Sequence, residues 1–90
     1  MYHEIPGVPL AISPMPSEDD VEELARKFGA VLVLAKGYEM EYDIGAWKEL
    51  GVECLHMPLE DFSSPTLVQL HEACLWIHEQ ISLGRDVLIH

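Results

Sequence analysis

Basic residues are scarce: five Lys and Arg stand against sixteen Asp and Glu in 90 residues, for a formal net charge of −11. Nucleic acids are held largely by cations that neutralise phosphates, so the sequence argues against a nucleic-acid partner, and against an anionic membrane surface for the same reason. No apolar run reaches the roughly 18 residues of a membrane span. The opening Met1-Tyr2-His3-Glu4-Ile5-Pro6-Gly7 has neither the basic start nor the apolar centre of a secretion signal, which makes the cytoplasm the expected compartment. Cysteine is sparse too: Cys54 and Cys74 cannot build a disulfide scaffold, and their spacing is not that of a redox or zinc motif. Both stand among apolar neighbours without the positive charge that activates a thiol, so both read as small buried hydrophobes.

What is present is apolar enough to fold. Hydrophobic residues make up 49% of the chain and mean hydropathy is +0.10, outside the range of disordered sequences. The length allows one small domain at most. Between Ile5 and Ser13 the prolines and Gly7 permit only short edge-type strand pieces. A helix follows, with Ser17 as N-cap, Asp20 closing a capping box, and Val21, Leu24, Ala25 and Phe28 at helical spacing; Gly29 fits the position just past its end.

Ala30 to Ala35 is an unbroken apolar run with two valines, the pattern of a strand covered on both faces in a parallel sheet. After a loop from Lys36 to Tyr42, Asp43 can cap a short helix that turns Ile44, Trp47 and Leu50 inward and stops at Gly51. Val52 to Met57 reads as another strand. Ser64 and Pro65 can open a third helix carrying Leu67, Leu70, Cys74, Ile77 and Ile81, closed by Gly84. Asp86 to His90 begins a further buried strand. Strands alternating with helices imply crossover connections, hence an α/β architecture with a mainly parallel sheet flanked by helices. Ligands of such sheets bind beyond the carboxyl ends of the strands, and the last run breaks off there, so a longer chain is expected.

Four stretches, in order and spacing, resemble the cysteine-dependent protein tyrosine and dual-specificity phosphatases, in particular their compact archaeal-type members. They are Ala11-Ile12-Ser13-Pro14-Met15-Pro16-Ser17, Val31-Leu32-Val33-Leu34, Leu55 to Pro65, and Val87-Leu88-Ile89-His90. The resemblance implies that residues 1–90 are the N-terminal part of a single phosphatase domain, ending just before the nucleophilic cysteine. The family signature of a cysteine, five residues and an arginine is absent from these 90 residues. By position, Asp61 matches the family's general acid and His90 the histidine that precedes the nucleophile, where it orients the phosphate loop. Phe62, beside Asp61, is a candidate wall for a flat aryl group. No metal or other cofactor is implied.

The chemistry asks for these groups. Cleaving a phosphate ester expels an oxygen anion unless a placed acid protonates it, and a loop carboxyl at the sheet's edge can reach that oxygen. Glu60 competes with Asp61 for the role. The phosphoryl group also needs a thiolate and a ring of N–H donors with an arginine, which Arg26, Lys27, Lys36, Lys48 and Arg85 do not supply in any glycine-rich loop. The expected whole protein therefore hydrolyses phosphomonoesters, on an aryl phosphate or a phosphorylated protein, with the rest of its chain completing the site. The 90 residues alone are expected to be inactive. The alternative is a non-catalytic pseudophosphatase, or a module that binds a phosphorylated partner. His71 and His78, two helical turns and about 10 Å apart, cannot share a metal and read as surface residues.

Overall fold

The computed structural model describes residues 2–59 and 66–90. Ala30–Val33, with no polar side chain, forms a strand whose four residues are all buried; two further runs that pair with it are Glu53–His56 and Val87–Ile89. With the N-terminal strands His3–Glu4 and Leu10–Ile12 they make one sheet. In chain order these are β1 (His3–Glu4), β2 (Leu10–Ile12), β3 (Ala30–Val33), β4 (Glu53–His56) and β5 (Val87–Ile89). Their order across the sheet is β1-β2-β5-β3-β4. Only the β1–β2 hairpin is antiparallel; β2–β5, β5–β3 and β3–β4 are parallel. The expected α/β architecture with a mainly parallel sheet is therefore present. The addition is β1, a polar pair of residues with no hydrophobic signal to mark it.

Helix α1 (Glu18–Lys27) begins as the sequence predicts: the Asp20 carboxylate accepts from the Ser17 N–H at 3.2 Å and from its hydroxyl at 2.9 Å. Its end differs from expectation. Phe28 is already extended at φ −109°, and Gly29 is not left-handed; a β-carbon there would crowd the Arg85 side chain, whose Cγ lies 3.0 Å from its position. The short helix α2 (Ala46–Glu49) and helix α3 (Leu67–Ser82) do end in left-handed glycines, Gly51 and Gly84, each at φ +80°. Asp43 acts one turn early, accepting from the Gly45 N–H. Ser64 and Pro65 lie outside the described residues. The cap of α3 is Thr66, whose hydroxyl accepts from Gln69 N–H while its own N–H donates to the Gln69 side chain.

Sheet register sorts the core onto two faces. Ala11, Leu88, Val31 and Cys54 lie side by side across the strands, and on their face α1 and α2 place Val21, Leu24, Phe28 and Trp47. Val31, Leu88 and Trp47 are fully buried, each contributing about 2 kcal/mol or more by removal from water. Ile12, Ile89, Leu32 and Leu55 form the corresponding row on the other face. Helix α3 covers only part of it. Leu70, Ala73 and Ile77 line a wholly apolar cavity of about 210 Å³ against Leu32 and Ile89. Ile12 remains 49% exposed, as do Leu75 and Leu67 to greater degrees. Two expectations are corrected here: Cys74 is exposed, and Leu50 points outward. Their helical spacing is right, but nothing among the described residues covers those positions.

Candidate active site

The parallel strands all run toward one edge of the sheet, and chain order delivers Ser13 after β2, Ala35 and Lys36 after β3, His56 at the end of β4 and His90 after β5. His90 continues the central strand: its N–H donates to Leu32 carbonyl at 3.1 Å and its carbonyl accepts from Leu34 N–H at 2.7 Å. Backbone pairing on that side thus fixes where its side chain leaves the sheet.

The imidazole is held by residues that the sequence reading assigned to a loop and to the core. Trp47, on α2, donates its indole N–H to the Tyr42 hydroxyl at 2.7 Å, and that hydroxyl meets His90 Nε2 at 2.6 Å. Tyr42 also packs edge-on against both rings, with centroids 5.5 Å from Trp47 and 5.6 Å from His90. His90 Nδ1 is buried and has no hydrogen-bond partner among the described residues. Burial, with a smaller contribution from the charge of His56, lowers the His90 pKa to about 4. The ring is therefore neutral at physiological pH. Burial likewise pushes the Tyr42 phenol up to about 12, so it keeps its proton and can donate it. His56, exposed at the neighbouring strand end, is tied by its Nε2 to the Ala35 carbonyl at 2.6 Å.

Of the residues predicted from sequence, His90 stands at this edge. Asp61 and Phe62, with the competitor Glu60, lie outside the described residues; Leu59, the last described residue before them, is bonded through its N–H to Leu34 carbonyl. Cys54 is half-buried on β4 and burial raises its thiol to about 11, which removes it as a nucleophile. His71 and His78 are exposed on α3, as read from sequence. Tyr42 and Trp47 were the residues missed. A Tyr–His pair 48 positions apart leaves no local trace in a sequence.

A mainly parallel sheet with flanking helices, as found here, matches the fold of protein tyrosine phosphatases of known structure. The crystal structure of Tk-PTP in its active form, an archaeal protein, superposes with a TM-score of 0.92 and is 44% identical over 99% of this chain and 60% of its own. PTPMT1 in complex with PI(5)P gives a TM-score of 0.83 at 23% identity, covering 98% of this chain and 59% of that one. Kinase associated phosphatase, carrying serine in place of its catalytic cysteine, gives 0.79 at 18% identity, with 90% and 55% covered. The chain thus spans less than two thirds of the length of each. No family model matches the chain, and no curated protein matches it. Among the described residues no helix is long and apolar enough to cross a membrane.

Proposed function

We propose that residues 1–90 form the N-terminal part of a single cysteine-dependent phosphatase domain, acting on phosphomonoesters in the cytoplasm, with the nucleophile in the residues that follow His90. The observation that carries this reading is the 44% identity to Tk-PTP across 99% of the chain. The position of His90 at the carboxyl edge of the sheet, its Nδ1 without a partner among the described residues, agrees with it, because ligands of open α/β sheets bind there.

In this reading a cysteine thiolate attacks phosphorus and the bond to the leaving oxygen breaks while the Asp61 carboxyl gives that oxygen its proton. Water then attacks the phosphocysteine, Asp61 carboxylate takes the water's proton, and the S–P bond breaks to restore the thiolate and release phosphate. Phe62, next in the chain, would flank an aryl group. The substrate is an aryl phosphate or a phosphorylated protein, and dual specificity is a matter of pocket depth. Residues 1–90 alone lack thiolate and arginine in the required loop and would be inactive.

The test is an assay of the full-length protein on an alkyl and an aryl phosphate, beside its Asp61→Asn variant. The reading expects a Cys, five residues and an Arg after His90, and a loss of roughly 100- to 10,000-fold in the variant, larger on the alkyl ester whose leaving group most needs protonation. Normal turnover of the alkyl phosphate by the variant would remove Asp61 from the role. Absence of the cysteine or arginine would leave a phosphate-binding module instead.

A further inference from the structure

The hydrogen-bond ladder between β3 and β4 changes its pattern at the carboxyl edge. Along a strand, successive carbonyls face opposite neighbours. The Gly29 and Val33 carbonyls accept from Glu53 and Met57 N–H at 3.1 and 2.8 Å on the β4 side, and the Leu32 carbonyl accepts from His90 on the β5 side. That alternation assigns the Leu34 carbonyl to the β5 side and the Ala35 carbonyl to β4, where the Leu59 N–H is due. Instead Leu59 donates to Leu34 at 3.0 Å, and the His56 imidazole takes the Ala35 carbonyl at 2.6 Å. Two successive carbonyls thus serve the same neighbour, which a regular strand does not allow, and the chain bends at Ala35. A carbonyl oxygen only accepts, so His56 carries a proton on Nε2 and donates it. The segment is pinned on its other face too: Met57 and Leu59, two apart, line the apolar cavity with Leu70 and Ile77 of α3. Pro58, between them, has no N–H to lose on the outer side of a strand that lies at the edge of the sheet.

We propose that His56 is a positioning residue for the proposed general acid: by occupying the Ala35 carbonyl it diverts Leu59 to Leu34, and so fixes where the chain leaves β4 on its way to Asp61. The link to Asp61 rests on the phosphatase reading, whereas the diversion of Leu59 does not. Asp61 comes two residues after Leu59, so covalent geometry alone keeps their α-carbons within about 7 Å. A general acid works only when its proton reaches the leaving oxygen, and a misplacement of about 1 Å can cost on the order of 100-fold in rate. His56 touches no reacting atom in this role; its whole effect passes through the carboxyl.

The deciding experiment is a double-mutant cycle in the full-length protein, with His56→Phe, Asp61→Asn and the pair, on an alkyl phosphate and on p-nitrophenyl phosphate, whose leaving group departs with little help from an acid. His56→Phe should lower kcat on the alkyl ester by about 10- to 100-fold with KM nearly unchanged, and on the nitrophenyl ester by less than about 3-fold. In the Asp61→Asn background the same change should have no further effect, since nothing is left for it to position. His56→Gln, which returns an N–H donor near the place of Nε2, should recover part of the loss. The diversion itself is read by the scalar coupling across the hydrogen bond between the Leu59 amide nitrogen and its acceptor carbonyl carbon, in the same full-length protein labelled with isotopes. The wild type should couple Leu59 to Leu34, and His56→Phe should abolish that coupling or move it to Ala35. An equal loss on both esters overturns the positioning role, as does an undiminished loss in the Asp61→Asn background or a Leu59–Leu34 coupling that survives His56→Phe. If the wild type cleaves neither ester, the phosphatase reading falls, while the coupling still decides whether His56 diverts the chain.

Discussion

Arg85 lies across Gly29, its Cγ 3.0 Å and its Cβ 3.1 Å from the point where a β-carbon on Gly29 would sit. The same arginine donates to the side chain of buried Gln80 at 2.7 Å, tying the end of α3 to the start of β3. Gly29→Ala should therefore cost about 1–3 kcal/mol by overpacking. Arg85→Ala should cost a similar amount by leaving the Gln80 carbonyl without its donor. Because removing Arg85 beyond Cβ clears the contacts of Cγ and Cδ while leaving that of Cβ at 3.1 Å, the double variant should be less destabilised than the sum by about 0.5 kcal/mol. Urea unfolding of the four proteins checks this; strict additivity would mean that the contact carries no strain.

The half-buried ring of His90 makes stability depend on pH. In the unfolded chain an imidazole takes up a proton as pH falls through 6.5, but in the folded chain it does so only near 4. Between those values the unfolded state binds more protons, so stability declines as pH falls from about 6.5 toward 4 and is unaffected by this group above 6.5. Discounted for the partial exposure of the ring, the loss between pH 7 and pH 5 should be about 1 kcal/mol. Denaturant midpoints of the wild type and His90→Gln at the two pH values test it, the variant showing the shallower decline.

Two helix caps with similar sequences should differ in strength. Thr66 accepts from an orphan helix N–H, that of Gln69, at 3.0 Å. The Ser17 hydroxyl instead donates to Asp20 at 2.9 Å. Thr66→Ala should cost about 1 kcal/mol, and Ser17→Ala less, since only the first leaves a helix N–H unpaired. Equal losses in thermal unfolding would contradict the assignment.

The two cysteines should separate by reactivity. Cys74 is exposed on α3, whereas Cys54 is half-buried with its thiol raised to about 11. Iodoacetamide at pH 8, followed by peptide mass mapping, should modify Cys74 first and Cys54 only slowly, because the thiolate is the reacting form. Faster labelling of Cys54 would show that β4 opens readily.

Much of the scaffold is legible in the sequence because its signals are local. The unbroken Ala30 to Val33 run, the period of Val21, Leu24 and Phe28, and the left-handed Gly51 and Gly84 each follow from a few neighbouring residues. What escaped depends on distant partners. Gly29 looks like a helix terminator until Arg85, 56 positions later, is placed against it. The two-residue β1 is defined by pairing with β2 alone. Helical spacing groups Leu67, Leu70 and Cys74 with the core, yet spacing says nothing of what covers a face. The apolar run Val87 to Ile89 marks His90 as a strand end, whereas nothing local to Tyr42 announces its hydrogen bond to His90, 48 positions away.

The sheet's two faces are dressed unequally: among the described residues, α3 is the one helix over the row that runs from Ile12 to Leu55. Residues 1–90 on their own thus combine a greasy flank with a net charge of −11, and their behaviour in solution is a contest between adhesion and mutual repulsion. Salt tips that contest, since at about 1 M the screening length falls to roughly 3 Å and repulsion no longer keeps neighbouring molecules apart. The acidity of these residues is a colloidal safeguard that works best in dilute buffer.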